Sequence, residues 1–220
     1  MEMRFLKLQN SNEKISIGNI FCIGKNYLAH IEEMDSKIPE EPVMFTKPAS
    51  TLRFSGEDIK YPCHTENLHY EGELVLVIGK TLCSGTLEEA EDAIFGYGVG
   101  LDMTKRDVQK KLKEKGLPWT FAKSFDDSAV LSEIILKSDY KLTGEENLSL
   151  YLNEEMKQNS SVSRMIFKPA EVVKYISERI TLHKGDLIFT GTPSGVGSVS
   201  KGDKLTVKVD NLPVLETKII

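Results

Sequence analysis

The residues best spaced for chemistry lie in the run His69-Tyr70-Glu71-Gly72-Glu73-Leu74-Val75-Leu76-Val77-Ile78-Gly79. Its second half is an unbroken apolar stretch rich in β-branched residues and closed by a glycine, which suits a strand buried on both faces. In an extended chain residues i and i+2 share a face, so His69, Glu71 and Glu73 project the same way. At about 3.3 Å rise per residue the two glutamates start roughly 6–7 Å apart. At an effective dielectric near 20 they repel by roughly 2.5 kcal/mol. A strand entering a core avoids this unless a proton or a cation sits between the carboxylates. A hard divalent cation, Mg²⁺ or Mn²⁺, takes oxygen ligands and keeps water, and so fits. The alternative is that both glutamates line a solvated strand mouth.

Further candidates flank this run. On a short helix that Asn26 can cap, His30 and Glu33 stand at i and i+3. They form either a surface pair or a dyad in which the carboxylate orients an imidazole base. The glycine-spaced run Gly96-Tyr97-Gly98-Val99-Gly100-Leu101 ends on Asp102, a third carboxylate closing a strand, and its glycines point to close backbone packing in a curved sheet. A helix from Thr104 to Gly116, capped by Thr104 or Asp102, places Arg106 and Gln109 on one face. Its remaining lysines, Lys110, Lys111, Lys113 and Lys115, read as a solvated face. Lys123 follows the only tryptophan, Trp119, in an apolar setting, the usual way a carboxylate substrate is held. Lys47 ends a strand over Pro42 to Thr46, as an exposed residue or an anion anchor. The loop Gly191-Thr192-Pro193-Ser194-Gly195-Val196-Gly197 lacks a P-loop ending and is either a tight turn or a set of anion-directed donors.

The elements that must carry these residues are mostly short strands. They are expected at Met3 to Leu8 and Ile15 to Ile17, at Ile20 to Ile23, at Leu148 to Leu152, at Leu187 to Thr190, and in a closing hairpin of Leu205 to Val209 with Val214 to Ile219. Ser50 to Tyr61 is turn-rich, and Asn153 to Gln158 reads as a hairpin turn. Helices are expected over Leu87 to Ile94 and from Pro169 to Ile180.

Bulk properties narrow the classes. The chain has 220 residues, 40% hydrophobic and 28% charged, with net charge −5. That is the make-up of one globular domain, residues 1–220, able to bury about 70% of its unfolded surface. The negative charge argues against nucleic acid or an anionic membrane as partner, and no apolar run approaches the ~18 residues of a membrane span. Cys22, Cys63 and Cys83 form no C-x-x-C pair and read as free thiols. The N-terminal residues run straight into an alternating strand without a leader's apolar stretch, so the expected location is cytoplasmic.

Taken in order, Gly24-Lys25-Asn26-Tyr27 with His30, Pro42-Val43-Met44-Phe45-Thr46-Lys47-Pro48, Leu68-His69-Tyr70-Glu71-Gly72-Glu73-Leu74, Gly96-Tyr97 with Leu101-Asp102-Met103-Thr104 and Arg106-Asp107, Lys123-Ser124-Phe125-Asp126, and Thr190 through Gly197 make the chain resemble the fumarylacetoacetate hydrolase family. It is most similar to the short single-domain branch of acylpyruvate hydrolases and oxaloacetate decarboxylases. The resemblance implies an α+β, mainly β fold, a mixed β-sandwich roll with a few peripheral helices, and a homodimer. It implies Mg²⁺ or Mn²⁺ on Glu71, Glu73 and Asp102, with the His30–Glu33 dyad activating water. Lys123, Arg106, Gln109 and Thr192, with Lys47 and Lys25, would contact a small 2-oxo acid. His69 stays behind the ligands. Many relatives carry Arg where this chain has Lys25, and a point charge cannot make a bidentate fork. The implied reaction is C–C cleavage of an acylpyruvate to pyruvate and a carboxylic acid. Oxaloacetate decarboxylation or tautomerisation, isomerisation of longer dicarboxylates and a non-enzymatic binding module are the rivals.

Overall fold

A computed structural model describes residues 4–220. The expected strand from Met3 therefore starts outside the described residues. Its remainder forms only isolated bridges, Phe5 opposite Ser16 and Leu8 opposite Ile134, with the Leu6 amide donating to Ile15 O at 2.9 Å.

The largest sheet has eight strands. Across it, Val43–Lys47 pairs with Ile20–Gly24, then come Leu187–Phe189, Gly72–Ile78, Ile94–Asp102, Ala129–Leu131 and Leu52–Phe54, with Ile135–Leu136 also on Ile94–Asp102. Ile20–Gly24 runs parallel to Leu187–Phe189, and Leu52–Phe54 runs parallel to Ala129–Leu131; the other pairs are antiparallel. A second sheet joins Glu155–Ser161, Asn147–Leu152, Lys204–Val209 and Leu215–Lys218. A third, small sheet joins Gly197–Ser198, Leu68–Tyr70 and Thr104–Lys105.

Strand alternation divides the large sheet between two cores. Phe21, Ile23, Leu74, Leu76, Val99 and Leu101 face Leu148, Leu150, Leu205, Val207 and Leu215 of the second sheet. Ile20, Cys22, Val75, Val77 and Phe189 point the other way and share a cluster with Leu52 from the opposite edge. A sheet whose distant strands meet over one face is rolled, so the fold is the expected mainly β sandwich roll. Each of these fully buried aliphatic side chains contributes roughly 1.5–3 kcal/mol. Among the described residues five short α-helices lie around the sheets, including Leu28–Glu33, Arg106–Glu114 and Pro169–Ser177.

Several local expectations change. Asn26 does not cap the first helix, whose N-cap is Tyr27 without a side-chain bond. Its amide instead donates to Phe167 O and Thr190 O and accepts from the Phe167 amide, tying three distant segments together. Neither Thr104 nor Asp102 caps the lysine-rich helix, which starts at Arg106 after Lys105. Both side chains are already engaged by buried cations. The hairpin turn after Leu152 is just Asn153 and Glu154, both with positive φ (49° and 71°), the conformation that joins two antiparallel strands most tightly. Within the turn-rich stretch, Leu52–Phe54 is a strand.

The alternating glycines do bring strands close. A Cβ on Gly100 would sit 2.5 Å from the Phe189 ring and 2.6 Å from Val75, and one on Gly98 would sit 2.6 Å from Ile134. Gly100→Ala is expected to lower stability by about 1–3 kcal/mol through overpacking. Urea unfolding measures it, and an unchanged midpoint would contradict the close approach.

Candidate active site

Register places the acids. Glu73 pairs with Gly100 across the central strands, and the Asp102 amide donates to Glu71 O at 2.9 Å. The three carboxylates thus converge at one end of the sheet, with candidate ligand atoms all within 4.8 Å of one another. Glu73 and Asp102 are each 1% exposed.

Cations surround two of the three. Lys123 Nζ donates to Glu71 Oε2 at 2.7 Å, Asp102 Oδ2 at 2.7 Å and Thr104 Oγ1 at 2.6 Å. Arg106 Nη2 donates to Glu71 Oε1, and Arg106 Nη1 donates to Gln109 Oε1 at 2.7 Å. Lys47 Nζ lies 2.8 Å from Asp102 Oδ1 as an ion pair, but at an angle that leaves this buried oxygen without a hydrogen-bond donor. Glu73 has no cation at ion-pair distance among the described residues; its Oε2 accepts from the Gly191 amide at 2.7 Å.

The electrostatics follow. Burial pushes the Glu73 carboxyl well above the usual carboxylate range, and the charges of Asp102 and Glu71 push it further. Burial also acts on Glu71, yet Lys123 and Arg106 outweigh it and hold that carboxyl well below its ordinary value. Lys123 is raised because Asp102 and Glu71 overcome its own burial. An all-oxygen, three-carboxylate donor set with one acid lacking a cation and one oxygen lacking a donor suits a hard divalent ion.

The dyad closes over this cluster. His30 Nδ1 is 3.1 Å from Glu33 Oε2, and the Gly195 amide donates to Glu33 Oε1 at 3.0 Å. A carboxylate on Nδ1 fixes the proton there and leaves Nε2 as the free base. His30, Glu71, Glu73, Arg106, Gln109, Lys123, Thr192 and Lys25 all line one narrow cleft. Thr192 Oγ1 accepts from Gln158 Nε2 at 2.8 Å, so its own hydrogen is left to donate.

Lys47 is different: its side chain is fully buried behind Asp102 and also donates to Met103 O at 3.3 Å and to Lys123 O, and it is absent from the cleft wall. His69 is held on the outer side of Arg106, with burial and the Arg106 charge pushing it down to about 4. Sequence reasoning missed Lys113 and Met34 on the wall, where Trp119 also stands. Lys113 was within reach, since it stands four residues after Gln109 on the same helix face.

A family model described as fumarylacetoacetate (FAA) hydrolase C-terminal matches residues 19–220. The chain belongs to the fumarylacetoacetate hydrolase family. Within it, the chain is 43% identical over 197 residues to an oxaloacetate tautomerase of Escherichia coli strain K12, covering 88% of this chain and 89% of that one. The fumarylpyruvate hydrolase of Pseudomonas aeruginosa, solved in complex with Mn²⁺ and pyruvate, superposes with a TM-score of 0.95 at 38% identity, covering 99% of this chain and 96% of that one. A 5-carboxymethyl-2-hydroxymuconate delta-isomerase of Mycobacterium smegmatis superposes with a TM-score of 0.82 at 32% identity over 94% and 80% of the two chains. Among the described residues no helix is long and apolar enough to cross a membrane.

Removing the cation shared by two buried acids exposes their mutual repulsion. Lys123→Met is expected to destabilise chelator-treated protein by about 3–5 kcal/mol. Urea unfolding tests this, and a loss below about 1 kcal/mol would show that Lys123 does not offset the cluster.

Proposed function

We propose that the chain is a single catalytic domain, residues 1–220, that acts on small 2-oxo acids with Mg²⁺ or Mn²⁺ held by Glu71, Glu73 and Asp102. Its reaction is hydrolysis of the C–C bond in acylpyruvate-type 2,4-dioxo acids to pyruvate and a carboxylic acid. The observation that carries this is that His30, oriented by Glu33, lines one cleft with Glu71 and Glu73, whose carboxylates cluster with that of buried Asp102. The ion, when bound, supplies Lewis-acid polarisation of the substrate's oxo group.

The chain's own groups do the rest. Arg106, Gln109 and the Thr192 hydroxyl donate to the substrate carboxylate and fix its orientation. Lys123 lends positive charge where the enolate develops. His30 Nε2 takes a proton from water, and Glu33 stabilises the imidazolium. The hydroxide adds to the distal carbonyl, and the adduct collapses with cleavage of the bond to the methylene carbon. The electron pair stays on the pyruvate enolate, which takes back the His30 proton at carbon. Lys47 sets Asp102 from behind.

A second reading is favoured by the Escherichia coli relative, an oxaloacetate tautomerase. There the same base moves a proton between carbon and oxygen of oxaloacetate, and no water adds. Two finer placements belong to the same proposal. Exposed Leu117 and Phe121, close in sequence, support a homodimer, and the free Cys22, Cys63 and Cys83 support a cytoplasmic, reducing location.

Turnover of acetylpyruvate and oxaloacetate, side by side on chelator-stripped protein with Mg²⁺ or Mn²⁺ restored, tests the reading. Metal-dependent turnover is expected, and the ratio of kcat/KM values ranks hydrolysis against tautomerisation. No turnover of either would overturn it. His30→Ala is expected to slow acetylpyruvate cleavage by about 10²–10⁴-fold while Mn²⁺ affinity is retained. A variant that cleaves at the wild-type rate would remove His30 from the mechanism.

A further inference from the structure

The edge strand of the second sheet, Glu155–Ser161, is almost wholly polar, yet Gln158 within it is fully buried. A buried amide has to find partners. The Gln158 Oε1 accepts from the Gly72 amide at 2.9 Å, and Nε2 donates both hydrogens, to Thr192 Oγ1 at 2.8 Å and to Pro193 O at 2.8 Å. Turning the amide over would set Oε1 against Pro193 O and Nε2 against the Gly72 N–H, so its orientation is fixed. The Thr192 hydroxyl therefore has to accept, and its one hydrogen is left for the cleft that Thr192 lines. The backbone is shaped to bring Gln158 there. Leu150 pairs with Gln158, but Tyr151 pairs with Met156, so Lys157 is an extra residue, a β-bulge. Bulges re-aim side chains next to functional sites. The loop 191–197 rests on this bulge: Gly195 has φ 95°, and a Cβ there would sit 2.0 Å from Lys157 O. Gly72 lies between Glu71 and Glu73, so one buried amide links the acid-bearing strand to the loop, although Gln158 itself is not on the cleft wall.

We propose that Gln158 is a positioning residue for the 2-oxo acid reaction: it holds the Thr192 hydroxyl as a donor into the cleft and so makes that part of the wall select for an oxyanion. This rests on the reading of Thr192 as a substrate contact. A hydroxyl free to turn presents lone pairs as readily as its proton, and lone pairs repel an anion. Gln158→Glu reverses the polarity while keeping the shape. One carboxylate oxygen still accepts from Gly72, and the other can only accept from Thr192, which turns the hydroxyl proton away from the substrate. Burial raises the pKa of the new carboxyl, and protonating it returns a donor to Thr192, so the defect fades as pH falls.

The test is KM and kcat for acetylpyruvate in metal-loaded wild type, Gln158→Glu, Gln158→Met and Thr192→Val, the last with and without Gln158→Glu. Relative to wild type at the same pH, Gln158→Glu is expected to raise KM about tenfold at roughly pH 9, with kcat changed less than about threefold, and to approach wild type at roughly pH 6. A purely structural role would lower the active fraction, and with it kcat, at unchanged KM. In the Thr192→Val background, Gln158→Glu is expected to add less than about twofold. Gln158→Met brings no charge into the core, and is expected to raise KM about threefold at both pH values. A folded Gln158→Glu variant with wild-type KM at both pH values overturns the proposal, as does an equal rise in KM with and without the Thr192 hydroxyl. If neither variant at 158 folds, Gln158 is structural and the proposal falls. If wild type turns over neither acetylpyruvate nor oxaloacetate, the functional reading has failed instead. Quenching of Trp119, the only tryptophan and a cleft residue, by pyruvate in Mn²⁺-loaded protein then decides the role of Gln158. An unchanged dissociation constant in Gln158→Glu at roughly pH 9 overturns it there too.

Discussion

Burying three carboxylates within reach of one another is the constraint that shapes this molecule. Each would repel the others strongly away from water, and each must be offset by a cation or a proton. Lys123 bridges Glu71 and Asp102, Arg106 takes the outer oxygen of Glu71, and Lys47 stands behind Asp102. Glu73 receives only a backbone amide, and its carboxyl is pushed upward accordingly. The cluster is thus compensated at two of its members and open at the third, where a divalent ion meets the need.

The sheet exists in the form that delivers these side chains. Gly100 opposite Glu73 leaves room for Phe189 and Val75 to close over the strand pair. Asn26 anchors the segment leading into the His30 helix to Thr190 and Phe167, and Gly191 and Gly195 then place amides on Glu73 and Glu33. One loop, residues 191–197, therefore touches both the acid cluster, at Glu73, and the dyad, at Glu33. Changes in that loop alter both together.

Much of this was legible in sequence because the relevant relations are local. The spacing of Glu71 and Glu73, the i,i+3 pairs His30–Glu33 and Arg106–Gln109, and the glycine alternation all rest on strand or helix period. The mainly β roll and the family followed from motifs in order. What stayed hidden depends on contacts between distant residues. Asn26 looked like a helix cap because its partners lie more than 140 positions away. Lys47 gave no sign that Asp102 and the Lys123 carbonyl would enclose it. Lys113 passed for one more solvated lysine because the cleft that it borders is built mainly by other segments.

The central claim is that Glu71, Glu73 and Asp102 together hold a divalent cation. Titrating Mn²⁺ into chelator-treated protein, with free Mn²⁺ followed by electron paramagnetic resonance, tests it most directly. The account predicts one saturable site per chain, displaced by Mg²⁺ and weakened at least about tenfold in a folded Glu73→Gln variant. Absence of saturable binding, or the same affinity in Glu73→Gln, would contradict it.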